Sequence, residues 1–318
     1  MRGTKLRDHF PSISIIIPAY NARNTIAHCI ESLLAQRYLD DSVQIVVVDN
    51  NSDDGTPDIV MNYPVELTFE IEKQSSYAAR NTGIHHATGE IITFIDADCF
   101  PDPNWLIELI KPFQNQQICG VLGKVVSHEP TNLVEKFTHH ADPLGYKTLN
   151  GLISMITANV AYRHEVLLQV GGFCSDMYTG ADVDLGWRIQ LLPGCQVCYA
   201  PKAIVFHQHR TTIKGLFWQY YRYGDSEIIL DTLHKNSPSY SRTPKKQIMR
   251  IISQFRALIT YLISFLYRII RSLIFQWDTQ YVTWPLLWFV AESGSLLGKI
   301  RGIYRTRCFS RKIYYQNP

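Results

Sequence analysis

Residues 91 to 98 read Ile-Ile-Thr-Phe-Ile-Asp-Ala-Asp, an apolar run that ends in two carboxylates one residue apart, Asp96 and Asp98. In an extended chain alternate side chains share a face, so both carboxylates are expected to converge on one ligand while the small Ala97 points away. Carboxylate oxygens suit a hard cation such as Mn²⁺ or Mg²⁺, which keeps positions open for water and a substrate phosphate. The chemistry that fits this spacing is the holding of a metal-bound diphosphate. A bare Asp-x-Asp is also an ordinary strand end with two solvated acids, so the elements around it decide its meaning.

Three upstream segments supply those elements. Ser14-Ile-Ile-Ile-Pro-Ala-Tyr-Asn21 is a β-branched run closed by Pro and Asn, followed by Asn24 or Thr25 as a cap for a helix expected to reach about Gln36. Gln44-Ile-Val-Val-Val-Asp49 is a second strand of the buried type, opening into the acidic turn Asn50 to Gly55 before a helix with Pro57 near its start. Ser76 to Ile84 reads as a helix, placing Arg80 where a planar fork of donors can meet a phosphate. Alternating strands and helices imply a mainly parallel, Rossmann-like α/β sheet, in which ligands bind beyond the carboxyl ends of the strands. Asp49, Asp96 and Asp98 all fall there.

With these residues in hand, the chain resembles the family 2 glycosyltransferases, which have the GT-A fold, over nearly all of residues 11 to 225. The resemblance is carried by Ile-Pro-Ala-Tyr-Asn at 17 to 21, Val-Val-Asp-Asn-Asn-Ser-Asp-Asp-Gly-Thr at 47 to 56, Ala-Arg-Asn-Thr-Gly at 79 to 83, the Asp-Ala-Asp segment, and Gly-Ala-Asp-Val-Asp-Leu-Gly-Trp-Arg at 180 to 188. It implies a nucleotide-diphosphate sugar as donor (UDP, GDP or dTDP), with Pro18, Tyr20 and Asp49 framing the base and Asn21, Arg80 and Ala97 in the same site. It further implies that Asp96 lies near ribose and metal and that Asp98 ligates the metal. Inverting transfer is an in-line displacement and needs a base opposite the leaving group; the family's base, the Asp of a Glu-Asp pair, matches Asp182. The chain departs from that pair at Ala181. In a helix over 182 to 192 the Asp184 side chain diverges from Asp182 by about 200°, so Asp184 is expected to be structural. His207 and His209 follow the apolar Ala203 to Phe206 on one strand face, and His207 is the candidate third metal ligand.

The remaining chain divides by charge. Up to residue 244 there are 19 Lys and Arg against 26 Asp and Glu, net −7; beyond it there are 12 against 2, net +10. From Lys245 to Phe275 apolar residues including Ile248, Ile252, Phe255, Ile259, Leu262 and Leu266 recur at helical spacing opposite Lys246, Arg250, Arg256, Arg268 and Arg271. That pattern predicts a basic amphipathic helix lying on an anionic membrane surface, its uncharged run being shorter than the roughly 20 residues a span requires. Tyr281 to Ala291, with Trp284 and Trp288, and the basic tail Lys299 to Lys312 are expected to add interfacial contacts. The alternative is a helical pair packed on the catalytic domain or in a homodimer. The expected organisation is a tail (1–11), a GT-A domain (12–225, with a nucleotide-binding half to 100 and an acceptor half from 101), and a membrane-associated helical appendage (226–318).

No secretory pattern opens the chain, so a peripheral or monotopic place on the cytoplasmic face of the membrane is expected. Seven scattered cysteines are not expected to form a disulfide framework, and Cys195-Gln-Val-Cys198 lacks the second pair of a zinc site. No nucleic-acid motif accompanies the basic tail. The function these features imply is metal-dependent inverting transfer of a sugar to a hydroxyl of a lipid-linked or polysaccharide acceptor. Competing readings are a sugar-1-phosphate nucleotidyltransferase, which would need a Gly-rich, Arg-containing loop where Pro18 to Asn21 stand, and a catalytically degenerate membrane-bound scaffold, hinted at by Ala181. A G-x-G-x-x-G after a strand, required of a NAD dehydrogenase, is missing. Gln219-Tyr-Tyr-Arg-Tyr223 departs from the Gln-x-x-Arg-Trp of processive synthases, which favours single addition.

Overall fold

The run Ile13-Ser-Ile-Ile-Ile17 is buried on both faces, which suits a β-branched segment for the centre of a parallel sheet. In the computed structural model it forms β1 (Ile13–Ala19), followed by α1 (Ile26–Leu34), β2 (Val43–Asp49), α2 (Thr56–Val60), β3 (Glu66–Phe69), α3 (Ser76–His86) and β4 (Ile91–Phe94). The chain continues through β5 (Cys99–Pro101), α4 (Trp105–Ile110), β6 (Ile118–Ser127), α5 (Leu133–Ala141), β7 (Thr148–Leu149) and β8 (Leu152–Ile153). Then come β9 (Val160–Arg163), α6 (His164–Gln169), α7 (Ala181–Gln190), β10 (Gln196–His207), α8 (Ile213–Leu233), α9 (Pro244–Ser272) and α10 (Thr279–Lys312). The structure describes residues 11–38, 43–141, 144–149, 151–208, 210–235, 244–274 and 278–312, and of 244–247 and 307–312 the backbone only. His209 and the amino-terminal tail to residue 10 lie outside the described residues.

Eight strands form one sheet in the order β3-β2-β1-β4-β9-β6-β10-β5. The pairings β1–β2, β2–β3, β1–β4 and β6–β10 are parallel, whereas β9 runs antiparallel to β4 and β6, and β5 to β10. The sheet is thus mostly parallel, as expected, with antiparallel strands in its second half. The first three strands build outward from one side of β1 and β4 adds to the other, so strand order reverses between β1 and β4. A crevice opens beyond the carboxyl ends of strands at such a point. Alternate residues of β1 serve two cores: Ile13, Ile15 and Ile17 join α1 and α4 on one face, and Ile16 joins α3, α7 and α8 on the other. Each fully buried Ile contributes about 1.5–3 kcal/mol by leaving water. In α1 the buried Ile26, Cys29, Ile30 and Leu33 make the stripe that seats it. This helix stops at Leu34, short of Gln36, whose side-chain amide donates to the Asp102 carbonyl at 2.9 Å.

The cysteine expectation is corrected: Cys119 and Cys195 form a disulfide across 76 residues. β6 and β10 are neighbours, with Gln196 paired to Ile118, and this register brings the two cysteines together. Cys29, Cys99, Cys174 and Cys198 are free thiols.

The carboxyl-terminal helices separate into two kinds. α10 lies against α8 along Gly294, Gly298 and Gly302, spaced four apart, and a Cβ added at Gly298 would stand 1.9 Å from the Tyr221 carbonyl oxygen. Only hydrogen fits there, so the two backbones touch. Leu287 and Ala291 of α10 are buried with Val134 and Phe137 of α5, and Trp288 meets Phe137 edge-on at 4.9 Å. This stretch is therefore divided: Leu287, Ala291 and Lys299 are buried against protein, whereas Tyr281, Ile300, Ile303 and Tyr304 are exposed. Lys299 is buried, donating to Gln254 at 2.9 Å and lying 3.2 Å from Glu227. α9 differs: it is held to α10 by Gln254 to Glu292 and by stacking of Tyr261 near Trp288, yet leaves Ile252, Ile259, Leu262, Ile263, Leu266 and Ile270 exposed. Its segment Ile248–Ser272 is also long and apolar enough to cross a membrane by length and composition.

Candidate active site

β4 ends at Phe94, and Asp96 to Asp98 form a turn in which the Cys99 amide donates to the Asp96 carbonyl at 3.0 Å. The alternation rule of extended chain therefore does not apply, and the two carboxylates take different partners. Asp96 is ion-paired with Arg80 from α3, whose guanidinium is buried and lies 5.3 Å from the Tyr77 ring centre. Asp98 instead faces the end of β10, with His207 Nε2 3.6 Å from its Oδ1. Potential ligand atoms of Asp98, Cys99 and His207 all lie within 4.8 Å of one another, a cluster from which Asp96 is absent. Burial first, then the charges of Asp98 and Asp96, hold the Cys99 thiol well above its ordinary pKa. The Asp98 carboxylate is a donor suited to Mn²⁺ or Mg²⁺, and the neighbouring imidazole can complete the set.

On the other side of the crevice Pro18 and Tyr20, at the end of β1, line a cavity of about 570 Å³ together with Asn50, Lys73 and Ser76. Asp49 is buried at the end of β2; its Oδ2 accepts from the Ser52 amide at 3.0 Å, and its Oδ1 has no hydrogen-bond partner among the described residues. A buried carboxylate oxygen left in this way is costly unless a ligand donor reaches it. Asn21, at φ +49°, ties the β1 and β2 loops together: its amide donates to Ser52 Oγ and its Oδ1 accepts from the Asp53 amide, both at 3.0 Å. Ala97, in the same turn, is buried in the core that α1 and α4 share with β1.

A second cavity, about 730 Å³, is lined by Arg80, Asp96, His207 and Asp182. Gly180 adopts φ +83° immediately before α7, with Ser226 of α8 3.0 Å from where its Cβ would be. That turn sets Asp182 in the first turn of α7, buried, with Oδ1 accepting from Tyr77 Oη at 3.1 Å and from the Val183 amide at 3.0 Å. Burial raises the Asp182 pKa, partly offset by the charge of Arg80 and by these hydrogen bonds. Tyr77 is itself pushed far up by burial and by Asp182, so it stays a donor. Asp184 points away, accepting from Arg188 Nε at 2.9 Å and lying 2.8 Å from His234 Nε2. Burial alone would raise its pKa, but His234 and Arg188 outweigh it and the net direction is down. Ala181 is buried in the core, where a Glu would have no room without displacing its neighbours.

The model for "Glycosyl transferase family 2" matches residues 14–173. The chain belongs to that family. Glycosyltransferase AglE of Haloferax volcanii is 32% identical over 180 residues, covering 54% of this chain and 59% of the relative. The pre-mycofactocin glycosyltransferase of Mycobacterium tuberculosis is 28% identical over 233 residues, covering 70% and 48%. The family member described here thus spans about half the length of the curated relatives it matches. Among solved structures, the mannosyltransferase PcManGT from Pyrobaculum calidifontis, in complex with GDP-Man and Mn²⁺, superposes with a TM-score of 0.63 at 19% identity, over 93% of this chain and 88% of that one. That likeness establishes the GT-A fold.

Sequence reasoning missed Tyr77, although its place three residues before Arg80 on one helix puts both on one face, a signal that was available. The segment Gln219 to Gly224 divides along α8: Gln219, Arg222 and Tyr223 line the larger cavity, while Tyr221 and Gly224 meet α10.

Proposed function

We propose that the chain is a divalent-metal-dependent, inverting glycosyltransferase that moves a sugar from a nucleoside diphosphate to a hydroxyl of a lipid-linked or polysaccharide acceptor. The observation that carries this reading is one cavity holding a buried carboxylate of raised pKa, Asp182, together with His207 and the Arg80–Asp96 pair, beside the Asp98 carboxylate. Asp98 and His207 would hold the metal, which when bound neutralises the leaving diphosphate. Asp182 Oδ takes the proton of the acceptor hydroxyl as its oxygen bonds to the anomeric carbon and the bond from that carbon to the diphosphate breaks. Tyr77 Oη and the Val183 amide fix the carboxylate for that transfer. Pro18, Tyr20 and the unpartnered oxygen of Asp49 receive the nucleoside, so residues 12–100 supply the base-binding side of the donor site, while 101–225 supply Asp182 for the acceptor and His207 for the metal. Calorimetry with UDP, GDP and dTDP sugars, with and without Mn²⁺, tests this. One nucleotide class should bind in a metal-dependent way and lose that dependence in Asp98→Ala; metal-independent binding by both proteins would refute the metal assignment.

The same reading places α9 on an anionic membrane surface, supported by its exposed apolar stripe and by Arg256, Arg268 and Arg271 on the helix. Lying flat fits better than crossing, since α9 is lashed along α10 and α10 is sealed to α8. Flotation with anionic liposomes should be lost in Ile252→Glu/Leu262→Glu; unchanged flotation would remove the stripe from the account.

A further inference from the structure

The two cavities meet at the segment 174–180, which leads from the second core to Gly180 and Asp182. Tyr178 lines both, and 57% of it is exposed. No regular element stabilises this strap, and glycines of positive φ stand at both ends, Gly171 and Gly172 before it and Gly180 after it. Met177 anchors its middle in the second core, and the polar residues on either side of it are held by partners from elsewhere in the fold. Lys73 pairs with Asp176 and donates to Ser175 Oγ at 3.2 Å. A further restraint comes from the far end of the sequence. Arg305 of α10 donates to the Asp176 carbonyl at 2.8 Å while ion-paired with the buried Asp225 of α8. The guanidinium carbons of Arg301 and Arg305 each lie 4.8 Å from the Tyr178 ring centre. Arg305 also lines the nucleoside-side cavity with Tyr20 and Asn50.

We propose that Arg305 is a positioning residue of the donor site: through Asp176 and Tyr178 it holds the strap against the nucleoside-side cavity, so that affinity for a nucleoside diphosphate depends on the carboxyl-terminal helix. The inference rests on the donor reading above. A planar fork suits the task, since one arm meets the Asp225 carboxylate and the other the Asp176 carbonyl; a Lys offers a single point.

The test is calorimetry of UDP, GDP and dTDP binding to the full chain, with thermal melts in parallel. Arg305→Ala should weaken the bound nucleotide about tenfold, and Arg305→Lys should restore melting but not full affinity. Because Arg305→Ala strands the buried Asp225, Arg305→Ala/Asp225→Asn serves as the second variant: it should recover melting temperature while nucleotide affinity stays low. Tyr178→Ala should weaken binding too, and combined with Arg305→Ala the losses should not add, as expected of groups on one path. Affinity within twofold of wild type in folded Arg305→Ala, or affinity and melting recovering together in the double variant, would overturn the proposal while leaving the donor reading intact. A wild-type chain that binds none of the three nucleotides would overturn both.

Discussion

Gly298→Ala is the sharpest test of how α10 is attached. The new Cβ would lie 1.9 Å from the Tyr221 carbonyl oxygen, 2.8 Å from its carbon and 2.9 Å from the Asp225 nitrogen. Ordinary carbon–oxygen contact is about 3.3 Å, so α10 must retreat from α8 by roughly 1.4 Å. A gap of about 0.5–1 Å already forfeits a quarter to a half of the dispersion across a contact. Every clashing atom is backbone, which no rotamer change can move, so the cost sits at the upper end of overpacking, about 3 kcal/mol. Against it stands the helix-propensity gain of Ala over Gly, about 1 kcal/mol. The net expectation is a loss of about 2 kcal/mol, or roughly 4 °C of melting temperature in a chain of this size. The seam also predicts an order: Gly294→Ala would meet the Phe217 oxygen at 2.5 Å and Gly302→Ala the Asp225 oxygen at 2.8 Å, so the losses should rank Gly298, Gly294, Gly302. Thermal and denaturant unfolding read this directly. A rise in melting temperature for Gly298→Ala, the usual outcome in a solvent-facing helix, would refute the close-packed seam.

Asp182→Asn should lower transfer about 10²- to 10⁴-fold while nucleotide affinity stays within twofold; in the wild type, because burial raises the Asp182 pKa, activity should fall with decreasing pH at a point above the ordinary Asp value of about 4. An acid limb at or below that value, measured at saturating donor, would contradict the base assignment. Asp184→Asn should destabilise by about 3 kcal/mol near neutrality, since it breaks a buried pair with Arg188 and His234. The Asp184 pKa is depressed in the fold, so its contribution is present above the unfolded-state value and is lost as pH falls through the folded one. The stability gap between wild type and variant should therefore narrow on acidification, and a gap that widens would show that another group is responsible.

Much of the fold is local and was legible. Strands with β-branched runs, the turn at Asn50 to Gly55 and the apolar stripe of α1 follow from side-chain stereochemistry and burial within a few residues of one another. That Asp182 and Asp184 point to different partners follows in the same way, from helical geometry. The Asp-Ala-Asp segment shows where this reasoning stops. Its spacing suggested one shared ligand, but the strand ends two residues earlier, and a turn sends Asp96 to Arg80 and Asp98 to His207.

By itself the sequence determined the periodic elements, the carboxylates at strand ends and the presence of a basic amphipathic helix, because each depends on neighbours close along the chain. Only the tertiary structure decided which distant groups meet. The Cys119–Cys195 bond needed the register of β6 against β10, and the inward turn of α10 needed backbone contact with α8 at Gly298. Arg305 reaches Asp176 from 129 residues away. Such contacts are fixed by packing the whole chain: the four-residue spacing of Gly294, Gly298 and Gly302 marks a close approach, but not the helix that makes it.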